Sequence, residues 1–108
     1  MAQATAGRAL SRDPVEVDSK HYKVEFENDR VRVLRISYGP NEKSVMHAHP
    51  SGVAVFLTDL HGRFIFSDGS SEERRAKAGE TLWMPGEQHL PESLGDQRLE
   101  VILVELKG

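Results

Sequence analysis

The sequence predicts an all-β domain of the antiparallel sandwich or barrel type. Short runs rich in Val, Ile, Phe and Tyr follow one another from residue 21 onward, and clusters of Gly, Pro, Asn and Asp separate them. Eight or nine strands at spacings of about 8–12 residues are typical of this fold class. The breaks supply the positive φ of Gly or the fixed φ of Pro that tight turns require, and little of the sequence is left for helix.

Eight runs carry this strand pattern. In chain order they are HYKVEFE, RVRVLRISYG, SVMHAH, VAVFLTDLH, RFIFSD, EERRAKA, ETLWMP and RLEVILVEL. In the second run Val31 and Val33 share a face with Arg35, so we expect a β-bulge near Val33 and Leu34. EERRAKA has the composition of a helical turn, but its place between two strands favours a charged edge strand.

The last run is apolar on both of its faces. One alternating set comprises Leu99, Val101 and Leu103, and the other comprises Ile102, Val104 and Leu106. One face can pack in the core of the barrel while the other contacts a second subunit. We therefore expect a homodimer.

Length and composition fit one domain. The chain has 108 residues, of which 38% are hydrophobic and 29% charged, and a chain of this size can bury most of its apolar surface. We place the domain at residues 20–108. Residues 1–19 are expected to form a flexible leader, because residues 1–13 are rich in small and polar types without a clear period.

Charge and cysteine content exclude several classes. A net charge of −3 offers no basic surface for nucleic acid or an acidic membrane. The chain has no cysteine, so a soft-metal site would have to be built from imidazole. No stretch resembles a secretory signal or a membrane span, and we expect a cytoplasmic protein.

Histidines two residues apart suggest a metal site. Side chains at this spacing on a strand point to one face, with Cα atoms roughly 6.5–7 Å apart, so His47 and His49 can converge on one ion. A third imidazole must come from a neighbouring strand, and the candidate is His89, after GETLWMPGEQH. His61 is expected in a DLHG turn and His21 as a solvated residue at the start of the first strand. His-x-His alone also fits plain surface residues.

The spacing of these residues resembles the cupin family of small jelly-roll barrels. The family's first motif is Gly, five residues, His-x-His, three or four residues, Glu, six residues, Gly; its second is Gly, five residues, Pro-x-Gly, two residues, His, three residues, Asn. The matching positions are Gly39, His47, His49 and Gly62, then Gly79, Pro85, Gly86 and His89. Seven residues, instead of five, separate Gly39 from His47, and Pro85 and Gly86 are adjacent. The resemblance implies a jelly roll in which His47, His49 and His89 are metal ligands.

Two family positions differ in this chain. The family's glutamate ligand would fall at Val53 or Ala54, neither of which can coordinate an ion, and its asparagine would fall at Ser93. We expect no ligand from residues 50–58. Without the carboxylate, the ligand set resembles the three-histidine branch of the superfamily, known from cysteine-type thiol dioxygenases and β-diketone-cleaving dioxygenases. A Glu introduced at position 53 is expected to tighten the site for Mn²⁺.

The resemblance leaves three functions open. Neutral imidazoles keep the full charge of a divalent ion and favour an anionic substrate, so an Fe²⁺ dioxygenase of a small chelating molecule is the leading hypothesis. Zn²⁺, Ni²⁺ or Mn²⁺ fits the same ligands, and a Zn-type lyase, isomerase or hydrolase is an alternative, as is a barrel that only binds or senses a small ligand. Metal binding should weaken below a pH of roughly 6.5.

Apolar residues are expected to line the substrate pocket. The expected lining is Val45, Val53, Val55, Phe64 and Phe66, with Trp83 or Met84 as a further part of the wall. Glu87 and Glu92 flank His89, and we expect them to be solvated in turns.

Overall fold

Nine strands and one short helix make up the computed structural model, which describes residues 12–108. The helix is α1 (Pro14–Val17), and the strands are β1 (Tyr22–Glu27), β2 (Val31–Tyr38), β3 (His47–His49), β4 (Gly52–Phe56), β5 (Leu60–Phe66), β6 (Ser71–Ala76), β7 (Thr81–Met84), β8 (Glu87–Ser93) and β9 (Leu99–Leu106). They form a five-stranded sheet, ordered β1-β2-β9-β4-β7, and a four-stranded sheet, ordered β3-β8-β5-β6. Every strand pairing is antiparallel. The all-β prediction is confirmed.

Two strand assignments differ from the sequence prediction. The run 53–61 is divided between β4 and β5, so His61 lies within β5 and not in a turn. His89 was expected on a neighbouring strand, but the run that forms β8 is not among the eight predicted runs, because Pro, Glu and Ser dominate it and weaken its strand pattern. Its backbone is nevertheless paired on both sides, with β3 and with β5.

The predicted bulge occurs at the expected level of the sheet but on the neighbouring strand. β2 pairs with β9 without interruption, whereas the β1–β2 register shifts between Val24 and Phe26. The extra residue brings Phe26 opposite Val33, on the outer face of the sheet. β2 needs no bulge because the inner-facing Arg32 forms an ion pair with the buried Glu105 of β9.

The core lies between the sheets. Its buried members include Leu34 and Ile36 of β2, Phe56 of β4, and the set Leu99, Val101 and Leu103 of β9. This confirms that one face of β9 is in the core.

The other face of β9 belongs to an apolar row across the outer surface of the five-stranded sheet. The pairings place in one line the residues Phe26, Val33, Val104, Val53 and Trp83. The side chains at the two ends, Phe26 and Trp83, are 54% and 55% exposed. The homodimer stays a prediction, and this row is the surface that a second subunit would cover.

Part of the predicted leader is placed by the structure, while residues 1–11 lie outside the described residues. Asp13 caps α1 by accepting from the Val15 amide and forms a two-pronged pair with Arg32. Pro14 is buried, and the Ala48 amide donates to the Arg12 carbonyl. Residues 12–17 therefore pack against the strand that carries His47 and His49.

Among residues 12–108, no helix is long and apolar enough to cross a membrane. The cytoplasmic location stays a prediction.

Candidate metal site

The three predicted histidines come together inside the barrel. His47 and His49 lie on β3, and His89 lies on β8 directly opposite His47. One ring nitrogen from each of the three lies within 4.8 Å of the others. The residues are 0%, 9% and 2% exposed in chain order. Within the described part of the chain, this is the one group of His, Cys, Asp and Glu side chains with such a geometry.

Each imidazole is held at its Nδ1 atom by a partner from the protein. His49 Nδ1 lies 2.7 Å from Glu105 Oε2, and His89 Nδ1 lies 2.7 Å from Glu87 Oε2. A carboxylate accepts, so these Nδ1 atoms carry the proton and donate. In the neutral tautomer that has its proton on Nδ1, the Nε2 atoms of His49 and His89 have the lone pair that a metal requires.

Ser44 has the same role for His47. Its hydroxyl donates to Asp18 Oδ2, and its Oγ lies 3.3 Å from His47 Nδ1, from which it can accept. His47 Nε2 is buried and has no hydrogen-bond partner among the described residues. A buried polar atom without a partner requires an explanation, and an ion held by three Nε2 atoms supplies one. The residues therefore fit a divalent metal.

Burial keeps two of these imidazoles neutral. Desolvation, followed by the charge of His49, lowers the pKa of His47 to about 4. Desolvation, followed by the charges of His49 and His47, lowers the pKa of His89 to about 2. Protons therefore compete with a metal at these two nitrogens at a pH well below the value of roughly 6.5 expected from the reference pKa of histidine.

His21 is not the solvated residue that the sequence suggested. It is 5% exposed and stacks on Tyr38 with ring centroids 4.3 Å apart. Its Nδ1 lies 2.7 Å from Asp18 Oδ2 and its Nε2 lies 3.1 Å from Glu42 Oε1. Both nitrogens have a protein partner, so His21 is outside the ligand group but is linked to His47 through Asp18 and Ser44.

His61 is apart from the ligand group, as expected, although it lies on a strand. Its Nε2 pairs with Glu73 of β6, and 30% of its side chain is exposed. Its ring therefore belongs to the outer side of the four-stranded sheet.

The alternation of β4 shows which of the two candidates for the family's glutamate position, Val53 or Ala54, faces the histidines. Val53 is half-buried on the outer face, where it pairs with Val104 and Trp83. Ala54 is 3% exposed and lines the inner cavity beside His49 and His89. Ala54 is thus the residue of β4 whose side chain points to the side of the histidines, and the substitution suggested at position 53 would point away from them.

A cavity of about 210 Å³ begins at His49 and His89. Its lining is largely apolar and differs from the prediction, because Phe64 is the one member of the five expected lining residues that lines it. Val53 and Val55 have the opposite phase on β4, whose inner residues are Ala54 and Phe56. Val45 is 46% exposed, and Phe66 does not line the cavity. Met84 forms part of the wall, whereas Trp83 faces outward.

Two tyrosines stand at the histidine end of this cavity. Tyr22 Oη and Tyr38 Oη form a 2.7 Å hydrogen bond, and the Tyr22 ring lies 4.8 Å from that of His47. Burial raises the pKa of both hydroxyls above the ordinary value. They therefore stay protonated at neutral pH.

Sequence reasoning did not find the residues that hold the imidazoles. Glu105 continues the inner set of β9 after Leu103, and a carboxylate in an otherwise apolar alternation was a usable signal. Glu87 was expected in a turn, but it lies on β8 two residues before His89, on the same face. Ser44 precedes β3 and has no signal in its own sequence.

Solved structures show which fold this is. A cupin domain from Bordetella pertussis is 22% identical, with a TM-score of 0.74 over 81% of this chain and 92% of that one. A protein with a double-stranded β-helix domain from Klebsiella pneumoniae is 18% identical, with a TM-score of 0.64 over 81% and 76%. The polyketide cyclase of Streptomyces resistomycificus is 19% identical, with a TM-score of 0.60 over 79% of this chain and 63% of the cyclase.

No protein-family model matches the chain, and no curated protein matches it. The chain has the cupin fold, an antiparallel jelly-roll barrel. The resemblance that the sequence motifs indicated is confirmed at the level of the fold.

Proposed function

We propose that the protein is a metal-dependent cupin enzyme, a three-histidine Fe(II) dioxygenase that acts on a small anionic or chelating organic molecule. The observation that carries the proposal is the orientation of the imidazoles. Each Nδ1 atom faces Ser44, Glu105 or Glu87, and three Nε2 atoms remain for one ion. Partners of this kind fix the tautomer and ring plane of metal-ligating histidines.

The absence of a carboxylate ligand indicates the substrate class. Fe²⁺ held by three protein ligands would keep free positions for a chelating substrate and O₂. Three neutral imidazoles do not offset its charge, so a substrate anion is favoured. The apolar cavity next to His49 and His89 would enclose the body of the substrate.

A metal-retention experiment tests the ligand set. His47→Ala, His49→Ala and His89→Ala are each expected to lose the metal on dialysis, because two imidazoles remain. His61→Ala is the matched control, since His61 pairs with Glu73 outside the site. Loss of metal from His61→Ala with retention in His89→Ala would show that the site is elsewhere. His21→Ala is unsuitable as a control because His21 is buried and connected to His47 through Asp18 and Ser44.

Oxygen consumption tests the reaction class. The purified protein is analysed for metal, charged anaerobically with Fe²⁺ and screened against small carboxylates, thiols and β-diketones in an oxygen electrode. Substrate-dependent O₂ uptake that His89→Ala lacks supports the dioxygenase. Tight metal binding without O₂ uptake for any compound argues against it.

A non-redox reaction is the second candidate. It is favoured by the likeness to a polyketide cyclase together with an apolar cavity that suits an uncharged carbon skeleton. With Zn²⁺ bound, the same three imidazoles suit a lyase or isomerase. Turnover that needs metal but continues without O₂ would favour this candidate, and ligand binding without turnover would favour a binding or sensing barrel.

A further inference from the structure

A buried hydroxyl without a partner lies at the far end of the cavity. Ser93 is 2% exposed, and its Oγ has no hydrogen-bond partner among the described residues. Ser93 lines the same cavity as His49 and His89. Burying a hydroxyl without a hydrogen bond costs free energy. A ligand in the cavity could supply the partner that the described residues do not.

β8 sets the distance between the hydroxyl and the histidines. His89, Pro91 and Ser93 alternate on the buried side of this strand. Their spacing puts the Cα atoms of His89 and Ser93 roughly 13 Å apart, since a strand rises 3.2–3.4 Å per residue. The residue opposite Ser93 on β5 is Gly62. Gly62 has no side chain and Pro91 has no polar side-chain atom, so neither can satisfy the Ser93 hydroxyl.

The cavity between these two ends is apolar. Its wall includes Phe56, Phe64, Met84 and Leu103. The volume of about 210 Å³ exceeds that of a 150 Å³ apolar cavity that binds benzene. A ligand body of about ten non-hydrogen atoms follows from this comparison.

A positive charge stands near the histidine end. The Arg74 guanidinium lies 4.5 Å from the centroid of the Phe64 ring, and this ring stacks on His89 with centroids 4.4 Å apart. Glu87 and Glu105 face the Nδ1 side of the imidazoles, away from the ligand positions. Because Arg74 is itself paired with Glu72 at 3.0 and 3.3 Å, the affinity of the histidine end for an anionic group depends mainly on a divalent ion held by the imidazoles. The Ser93 end suits one uncharged polar group.

We propose that the cavity binds an elongated, largely apolar carboxylate or enolate that carries a single hydroxyl or carbonyl at its far end, where Ser93 Oγ forms a hydrogen bond with it. The contact of the anionic end with a metal rests on the proposed function. The contact with Ser93 does not.

Two rigid probes that differ in one group test the Ser93 end. trans-4-Hydroxycinnamate and trans-cinnamate have the same carboxylate and apolar body, and only the first has a hydroxyl opposite the carboxylate. Calorimetric titration of the full chain, with and without Zn²⁺, is expected to show about three- to tenfold tighter binding of the hydroxylated probe. In Ser93→Ala this preference should be lost or reversed, because the hydroxyl of the probe would then be buried without its partner. Ser71→Ala, a change at an exposed serine of β6, should keep the preference.

Thermal unfolding gives a second measurement. Removing a buried hydroxyl without a partner is expected to raise the unfolding midpoint of the ligand-free protein by a few degrees in Ser93→Ala. A lower midpoint would assign the hydroxyl to the fold and overturn the proposal. Equal binding of the two probes to the wild-type chain, or an unchanged preference in Ser93→Ala, would also overturn it.

The outcomes for the two proposals can be told apart. Metal analysis decides the proposed function, and the ratio of the two probe affinities decides the Ser93 contact whether or not Zn²⁺ is bound. If Zn²⁺ binds but does not strengthen the binding of either carboxylate, the anionic end is assigned incorrectly.

Discussion

Replacement of Glu105 by Gln is expected to weaken metal binding without touching a ligand. Glu105 is 2% exposed, and its carboxylate accepts from His49 Nδ1 at 2.7 Å and from Arg32 Nε at 2.9 Å. Gln has the same shape but a single acceptor oxygen and no charge, so it cannot replace both charge-assisted bonds. Loss of such a partner lowers metal affinity by about 10–100-fold, or about 1.4–2.7 kcal/mol.

The stability of the metal-free protein should fall as well. Arg32 keeps its two bonds to Asp13, so the half-buried guanidinium retains one counter-charge. We therefore expect a loss of about 1–3 kcal/mol, the range for one unsatisfied buried partner, instead of the larger cost of an isolated buried charge. Urea denaturation of the metal-free chain measures this value.

Glu100→Gln is the matched control. Glu100 lies on the same strand with the opposite phase and accepts from Arg35 at 3.2 Å on the outer face of the sheet. Competition with a chelator should give wild-type affinity for this variant and a reduced affinity for Glu105→Gln. Equal metal affinities in the two variants would refute the role of Glu105 in holding His49.

Three further predictions concern pH, assembly and the ligand set. Burial lowers the pKa of His47 and His89, so between pH 7 and 5 the unfolded chain protonates them while the folded chain does not. The free energy of unfolding of the metal-free protein should therefore fall by on the order of 2–4 kcal/mol over this range, as urea denaturation at each pH measures. A His47→Gln, His89→Gln double variant should show a smaller fall. Sedimentation of the wild-type chain at micromolar concentration should give a dimer. Trp83→Glu should give a monomer, because it places a charge on the apolar outer row. A monomeric wild type would contradict the apolar-row interface. Ala54→Glu should raise affinity for Mn²⁺ because it adds a carboxylate on the inner face of β4, whereas Val53→Glu should leave that affinity unchanged.

The convergence of the three histidines could be predicted in part because two of them depend only on local geometry. The period of two on a strand fixes the common face of His47 and His49 whatever the rest of the fold does. The prediction of His89 depended on the spacing of the second motif from Gly79 to His89, because β8 has little strand pattern of its own. Glu105 could not be assigned as the partner of His49, because that contact depends on how strands distant in sequence are arranged. Glu87 was missed because the strand character of β8 was not apparent.

The phase of β4 shows why the cavity lining was predicted incorrectly. Both alternating sets of this strand are apolar, so composition does not decide which set faces inward. The decision lies in a tertiary contact: a Cβ on Gly52 would lie 2.1 Å from the Val104 carbonyl oxygen. Only glycine permits β4 to approach β9 this closely at residue 52. Gly52 belongs to the same alternating set as Ala54, the set that faces inward, whereas Val53 faces outward.

The metal site also connects the two sheets. β3 has three residues and is at the edge of its sheet, paired only with β8 among the described strands. His49 on β3 reaches across the barrel to Glu105 on β9 of the other sheet. An ion held by His47, His49 and His89 would join β3 to β8 a second time. Short edge strands open at low free-energy cost, so β3 is expected to depend on the ion for part of its stability. If the three histidines hold an ion, we therefore expect its release to be coupled to the opening of β3, because the contacts that would hold the ion are among those that hold the strand.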